Sequence, residues 1–358
     1  MISYLLNKIY YAILTLFGVV TVIFFLFSVL PGDPAQMMMG QNEDSEQLEA
    51  VKQKYGFNKP ISTQYLYYLN DLLPISLHSK NQEDYTYLRN GKYSAIKLLN
   101  IKNTTVVLKL PYLRESFTKQ GKRVSDVLAE TLPNTFVLAV SAITIAMFLG
   151  VLLGIVSALY KDQWLDRGIQ VLSTLGMSVP SFFSAILFAW FFGYILHKYT
   201  HLEMTGSLYE LDDFGEAMHI KWRNLILPAI VLGIRPLAVV IQLMRNSLLE
   251  VFNQDYIRTA RAKGLTEFQI IKKHAVKNAL NPVVTAISGW FASMLAGAVF
   301  VEYIFGWNGL GKEIVNALNT LDLPVIMGSV LIIAVLFTII NIFVDLIYVW
   351  LDPKVKLE

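Results

Sequence analysis

Long apolar runs alternate with short polar segments along most of this 358-residue chain. Six windows, at residues 9–30, 132–160, 169–196, 225–244, 279–301 and 324–350, are almost wholly apolar. A helix rises ~1.5 Å per residue and the hydrocarbon of a bilayer is ~30 Å thick, so a run of ~20 such residues spans it. Four of the windows contain no Asp, Glu, Lys or Arg; the exceptions are Arg235 in the fourth and Asp345 near the end of the sixth. An unsatisfied backbone group in lipid costs several kcal/mol, so each window is predicted to be a helix. The first could instead be a cleaved signal peptide. It is longer than a signal core, however, and Pro31-Gly32-Asp33-Pro34 follows it rather than a small-x-small site. An uncleaved span is the expectation.

Basic residues orient the bundle. The segment joining the fourth and fifth windows carries Arg245, Arg258, Arg261, Lys263, Lys272, Lys273 and Lys277 against Glu250, Asp255 and Glu267. Lys161 and Arg167 follow the second window, Lys354 and Lys356 follow the sixth, and Lys8 precedes the first. All fall on one side if both termini lie there, and the positive-inside rule makes that side cytoplasmic. The outer side then receives segments 31–131, 197–224 and 302–323. The first is too long for a simple loop. Leu48, Val51, Tyr55 and Phe57 recur in it at near-helical spacing, and Tyr65, Leu66, Tyr68, Leu69, Leu72 and Leu73 form a second amphipathic stretch. Thr104–Leu108 has strand composition. A small ordered outer domain with a polar loop near 80–90 is expected, and no internal repeat is evident.

Composition narrows the function. Charged residues make up 16% of the chain and hydrophobic ones 54%, whereas soluble domains usually carry about a quarter charged residues. The net charge of +3 is too small to suggest nucleic acid, and the absence of cysteine excludes disulfides, thiolate metal sites and a cysteine nucleophile. Five histidines are scattered without paired spacing, so no metal or catalytic site is assigned.

The most informative segment is Asp255-Tyr256-Ile257-Arg258-Thr259-Ala260-Arg261-Ala262-Lys263-Gly264. It is a good helix former closed by a glycine able to adopt positive φ. A second helical stretch, 267–278, precedes Asn281-Pro282, which should open the fifth span. Such a short helix can sit in another protein's groove, its alanines allowing close approach and its arginines reaching carboxylates. The plainer reading is a basic surface helix that only sets topology.

Here the sequence resembles a family. Tyr256-Ile-Arg-Thr-Ala-Arg-Ala-Lys-Gly-Leu265, with His274-Ala275 and Lys277-Asn278-Ala279-Leu280-x-Pro282, is similar to the cytoplasmic loop of ABC importer permeases of the dipeptide/oligopeptide/nickel class, and to the first of their two permeases. Leu30-Pro31-Gly32-Asp33-Pro34, Tyr55-Gly56-Phe57-x-x-Pro60, Leu132-Pro133-Asn134-Thr135, Val179-Pro180-Ser181-Phe182 and Leu227-Pro228-Ala229 extend the resemblance. So do Val301-Glu302, Phe305-Gly306-Trp307-x-Gly309-Leu310-Gly311 and Leu351-Asp352-Pro353. Arg258, Thr259 and Ala260 stand where the general permease signature has Glu-Ala-Ala, a variant familiar in the peptide class. An insertion at about 75–121 is the second departure, and it bears on how an external binding protein would dock.

The resemblance implies an all-α membrane protein of six transmembrane helices, type I ABC importer permease-like, with an extracytoplasmic insert domain between helices 1 and 2. The domains would be 1–31, 32–131 and a permease core at 132–358. The implied setting is the bacterial inner membrane, multi-pass, with both termini cytoplasmic. Implied partners are a second homologous permease, two ATP-binding subunits that alone hold Mg-ATP, and an extracytoplasmic solute-binding protein. The chain itself would need no cofactor and would not be an enzyme. Di- or oligopeptides are the expected cargo. The coupling helix would be 255–264, inserted into an ATPase cleft through Tyr256, Arg258, Ala260, Arg261, Ala262, Lys263 and Gly264. ATP-driven closure would have to shift a conformational equilibrium; moving one from 1:99 to 99:1 takes about 5.5 kcal/mol.

Further features also admit plainer readings. Gly306 to Glu313 nearly matches a phosphate-cradling loop, yet Glu313 stands where a magnesium-binding hydroxyl is needed. Arg235, before Pro236, sits mid-window, where a cation costs ~2.5–3.5 kcal/mol and faces a cavity or a partner. With Pro180, Ser181, Gly289 and Ser293 it forms the expected translocation pathway. Small residues recur every four positions at Gly150, Gly154 and Ala158 and at Gly289, Ser293 and Gly297, spacing that lets helices pack closely within the bundle or against a second permease. Pro180 should kink the third helix. A secondary transporter is the alternative function, but the intramembrane acids it needs for ion coupling are missing apart from Asp345. A membrane-embedded enzyme lacks a nucleophile–base set.

Overall fold

The computed structural model describes the chain except residues 1, 29–32, 40–44, 83, 89–91, 120, 213, 214, 216 and 352–358. The motif residues Pro31, Gly32, Asp352 and Pro353 and the basic residues Lys354 and Lys356 therefore lie outside the described residues. Two compact units form: residues 1–12, 131–313 and 333–358, and residues 13–130 with 314–332.

In chain order the elements begin with α1 (Ile2–Ser28), α2 (Pro34–Met39), α3 (Ser45–Tyr55) and α4 (Ile61–Leu72). Strands β1 (Ile75–Ser79), β2 (Ala95–Ile101) and β3 (Thr104–Lys109) pair antiparallel in the order β1-β3-β2. This corrects the all-α expectation. Both amphipathic stretches are helices and 104–108 is a strand, but its two partner strands were not foreseen. In β1 the alternation is inverted, and β2 buries no residue. Ile75, Leu77, Ile96, Leu99 and Leu108 are exposed on one face, paired across the strands, while Ser76, His78, Thr105 and Lys109 are buried on the other.

That buried polar face is organised by Asp71 of α4, itself only 1% exposed. Its carboxylate accepts hydrogen bonds from the Tyr85 hydroxyl at 2.7 Å, the Tyr93 hydroxyl at 3.0 Å and Arg114 Nε at 3.0 Å. The Lys109 ammonium donates to the Asp71 carbonyl. A lone buried carboxylate is costly, and this donor set is what permits it. Elsewhere in the unit, α4 packs on α1: Tyr65 Oη and Thr21 Oγ1 share a hydrogen bond of 2.7 Å, and the Tyr68 and Phe24 rings stack 5.6 Å apart.

The other unit contains α5 (Val124–Leu159, from Thr131 onward), α6 (Trp164–Ser178), α7 (Ser181–Phe188) with a wider π-turn at Ala189–Ile195, and α8 (His197–Thr200). A hairpin of β4 (Tyr209–Leu211) and β5 (Met218–Ile220) leads into α9 (Arg223–Val251). Then come α10 (Asp255–Ala262), α11 (Glu267–Ile270), a π-turn at Ile271–Ala275, α12 (Val276–Gly297) and α13 (Val299–Phe305). The chain ends with α14 (Leu310–Asn319) and α15 (Leu323–Leu351). Four helices, in α1, α5, α9 and α15, are long and apolar enough to cross a membrane alone; two bent pairs raise the number to six.

The third window is more than kinked. Val179 and Pro180 take extended backbone angles, and α6 and α7 meet at 109°. The fifth helix, by contrast, does not open at Asn281-Pro282: α12 starts at Val276 and runs through Pro282. A Cβ at Gly150 would lie 2.6 Å from Val240 Cγ1, and one at Gly154 2.6 Å from Met244 Cβ, so this stripe packs α5 on α9. Nothing lies within 4 Å of a Cβ at Gly289, so the second stripe does not serve the bundle there; the surroundings of Gly297 lie outside the described residues. Lys8 of α1 pairs with Asp345 of α15, which puts the start of the first helix beside the end of the last.

The Asp71 network makes a pH prediction. Burial pushes the Lys109 ammonium down to about 8, whereas an unfolded lysine titrates near ~10.4. Between these values the unfolded chain binds more protons, so stability rises with pH. Burial also pushes Tyr68 up to about 12, so the folded state loses stability once unfolded tyrosines ionise above about pH 10. Pulse proteolysis in urea should show the sheet region gaining stability, on the order of 2 kcal/mol, from about pH 8 to 10 and losing it beyond. Lys109→Met should flatten the rise and leave the fall.

Candidate functional site

Three constellations carry chemistry. The first joins α10 to the helices around it. Ile257 and Ala260 are buried in one apolar cluster with Met244, Leu248 and Val251 of α9, Ile270 of α11, Ala275, and Ala279 and Val283 of α12. Ala260, expected to touch a partner, is thus an anchor within the chain. The other expected residues are exposed, and two are engaged. The Tyr256 hydroxyl accepts from Asn278 Nδ2 at 2.9 Å, and Arg261 Nε donates to Glu267 at 2.9 Å. Arg258 lies 3.5 Å from Asp255, a pair of little energetic weight at such exposure. Ala262 and Lys263 are open, and Gly264 ends the turn at φ +80°, the left-handed conformation that favours glycine. Just beyond, Thr266 and Gln269 cap α11 reciprocally. That cap holds Phe268, which is 71% exposed. An aromatic residue inside a Thr-x-x-Gln helix start was the sequence signal for it.

The second constellation gathers two motifs that the sequence left apart. Glu302 of α13 is fully buried. Its carboxylate accepts from Thr135 Oγ1 at 2.6 Å, from the Lys312 amide at 3.1 Å and from the Gly311 amide. Thr135 Oγ1 in turn accepts from the Leu310 amide at 2.7 Å. The buried Trp307 indole donates to the Asn134 carbonyl at 3.1 Å, while Asn134 Nδ2 donates to the Asn308 carbonyl at 2.7 Å. Gly306 turns the chain at φ +69°. A Cβ at Gly309 would sit 2.5 Å from the Glu302 carboxylate, which is why the loop carries glycine there. The glycine-rich run is therefore filled from within by the Glu302 carboxyl group, so phosphate has no place in it.

The third constellation is a cavity of about 90 Å³ whose lining includes Ser181, Ser184, Arg235, Trp290 and Ser293. Three of the five expected pathway residues meet here. Pro180 adjoins Ser181 at the α6–α7 break, and Gly289 lies one turn from Ser293 with an open flank. Arg235 is exposed and forms no hydrogen bond or ion pair among the described residues.

Among the described residues, a bundle of four candidate membrane spans, or six with the two bent pairs, defines a multi-pass membrane protein. The comparisons name the family. Residues 150–357 match the binding-protein-dependent transport system inner membrane component, and residues 1–83 match the N-terminal domain of such membrane components. The chain belongs to that family, and is a multi-pass inner-membrane permease subunit of an ABC importer. A putative peptide permease protein of Brucella suis is 33% identical over 358 residues, covering 99% of each chain. The dipeptide transport system permease protein DppB of Alkalihalophilus pseudofirmus is 32% identical over 369 residues, covering 99% of this chain and all of that one. The Bacillus subtilis protein of the same description is 32% identical over 359 residues, covering 100% of this chain and 99% of that one. Among solved structures, the inward-facing MetNI methionine ABC transporter aligns with 63% of this chain and 96% of its own, at 17% identity and a TM-score of 0.49, too distant to bear on function. Membership implies ATPase and solute-binding partners.

Glu302→Ala should lower thermal stability in detergent by several kcal/mol, about 1–3 for each donor left unpaired. Gly309→Ala should do the same by steric overlap. Wild-type stability in both would show that the knot does not hold this end of the bundle.

Proposed function

We propose that this permease imports di- or oligopeptides, and that α10 is the helix through which separate ATPases drive it. The names of its full-length relatives support the cargo. The mechanical role rests on one observation: Ile257 and Ala260 are buried with residues of α9 and α12. A push on the exposed side of α10 must therefore carry the ends of two membrane helices with it. Tyr256, Arg258, Ala262, Lys263 and Phe268 are the surface offered to the ATPase; Arg261 and Gly264 hold its shape. A second, homologous permease completes the pathway, and two ATP-binding subunits supply Mg-ATP.

In this reading both termini and α10 are cytoplasmic, which the basic residues around α10 and the Lys8–Asp345 pair support. The segment between α1 and α5 then faces the opposite side as a distinct domain, where a solute-binding protein delivers cargo. The cavity beside Arg235, Ser181 and Ser293 lies on the route.

Arg258→Glu and Gly264→Glu should each reduce co-purification of the ATPase and ATP-dependent uptake at least tenfold, with membrane insertion unchanged. Phe268→Ala should weaken co-purification less than either. Uptake that survives these changes and stops when ion gradients are dissipated would establish a secondary carrier instead.

A further inference from the structure

Arg235 is set apart by its place, and it has no hydrogen-bond or ion-pair partner among the described residues. It lies in the middle of α9, on a helix long and apolar enough to cross a membrane, and its side chain is exposed. A cation at membrane depth costs ~2.5–3.5 kcal/mol unless water or an anion meets it. No described residue supplies that anion. Windows 169–196 and 279–301, which furnish the other walls of the cavity, contain no Asp or Glu at all. The cavity is therefore a positively charged recess, with the Ser181, Ser184 and Ser293 hydroxyls and the Trp290 ring on its walls.

The recess continues along α12. Asn281, Thr285, Gly289 and Ser293 recur every four residues and all four are exposed, so they form one polar and small-residue face of an otherwise apolar helix. That stripe leads to the cavity. A lipid-facing surface would have no use for it, whereas a wetted path would.

We propose that Arg235 and the serines around it form a subsite for the free carboxylate of the cargo within the membrane. This rests on the reading of the chain as a peptide permease and adds the end group that its own half of the path selects. A guanidinium presents a planar fork of donors that matches a carboxylate in two parallel hydrogen bonds, and hydroxyls can donate to the remaining lone pairs. The volume of about 90 Å³ accommodates such an end group and not a whole peptide. Cargo would thus lie with its carboxyl end at this subunit and its remaining length outside the recess.

The test uses the assembled complex in lipid nanodiscs without the solute-binding protein, whose own selectivity would otherwise intervene. Binding of dialanine and of dialanine amide is measured directly, with ATPase co-purification recorded for each sample. The wild type should bind dialanine at least tenfold more tightly than the amide. Arg235→Gln should bind both alike, at the level of the amide. Arg235→Lys, which keeps the charge and loses the fork, should fall between and guards against a Gln variant that does not assemble. A wild type without preference, or a preference unchanged in either variant, overturns the carboxylate subsite. A wild type that binds neither compound, with the ATPase retained, would instead overturn the peptide-cargo reading, so the two failures are told apart.

Discussion

The seam around Ile257 and Ala260 is the packing constraint on which the proposed coupling depends. Fully burying an aliphatic side chain contributes roughly 1.5–3 kcal/mol, and here several such side chains from α9, α10, α11 and α12 share one cluster. The helix α10 has only eight residues, too few to persist alone in water. Its stability is borrowed from the packing beneath it. The same packing makes it a rigid handle, and the hydrogen bonds from Asn278 to Tyr256 and from Arg261 to Glu267 brace it on two further sides. Force applied to a helix held this way is transmitted, not absorbed.

At Glu302 the chain uses the opposite material. A carboxylate in the protein interior is expensive, and it survives only where donors surround it. Thr135, Gly311 and Lys312 provide them, and Thr135 relays a further bond to the Leu310 amide. The arrangement ties α5 at Asn134 and Thr135 to the loop after α13. Polar knots of this kind specify one geometry more sharply than apolar contacts do, because a small displacement strands several hydrogen bonds at once.

The spans were legible in the sequence because lipid tolerates so few alternatives to an apolar helix, and the described residues of all six windows are mostly helical. Their interruptions were less so. Pro180 breaks its helix outright, yet Pro133, Pro228, Pro236 and Pro282 all lie inside helices. A proline signals a lost donor, and neighbouring packing decides whether the helix continues. Ala95–Ile101 escaped notice because it buries no residue and so shows no period, and Ile75–Ser79 because its polar Ser76 and His78 are buried and its aliphatic residues exposed. Periodicity alone reads such a pattern backwards. Around α10 the residue types were readable and their packing was not: Ala260 is buried within the chain, Arg261 is exposed but bonded to Glu267, and Phe268 stood outside the recognised motif. Arg235, Ser181 and Ser293 were each conspicuous, but only the folded chain brings them to one cavity.

The glycines of α5 carry a last consequence. With Val240 and Met244 lodged where the β-carbons of Gly150 and Gly154 would be, α5 and α9 have no slack between them along this stretch. Bending during a transport cycle must then concentrate where the regular helix is already relaxed: the Val179-Pro180 elbow and the two wide turns at Ala189–Ile195 and Ile271–Ala275. The stiff pair would act as the fulcrum, and those three joints as the places where the protein gives way.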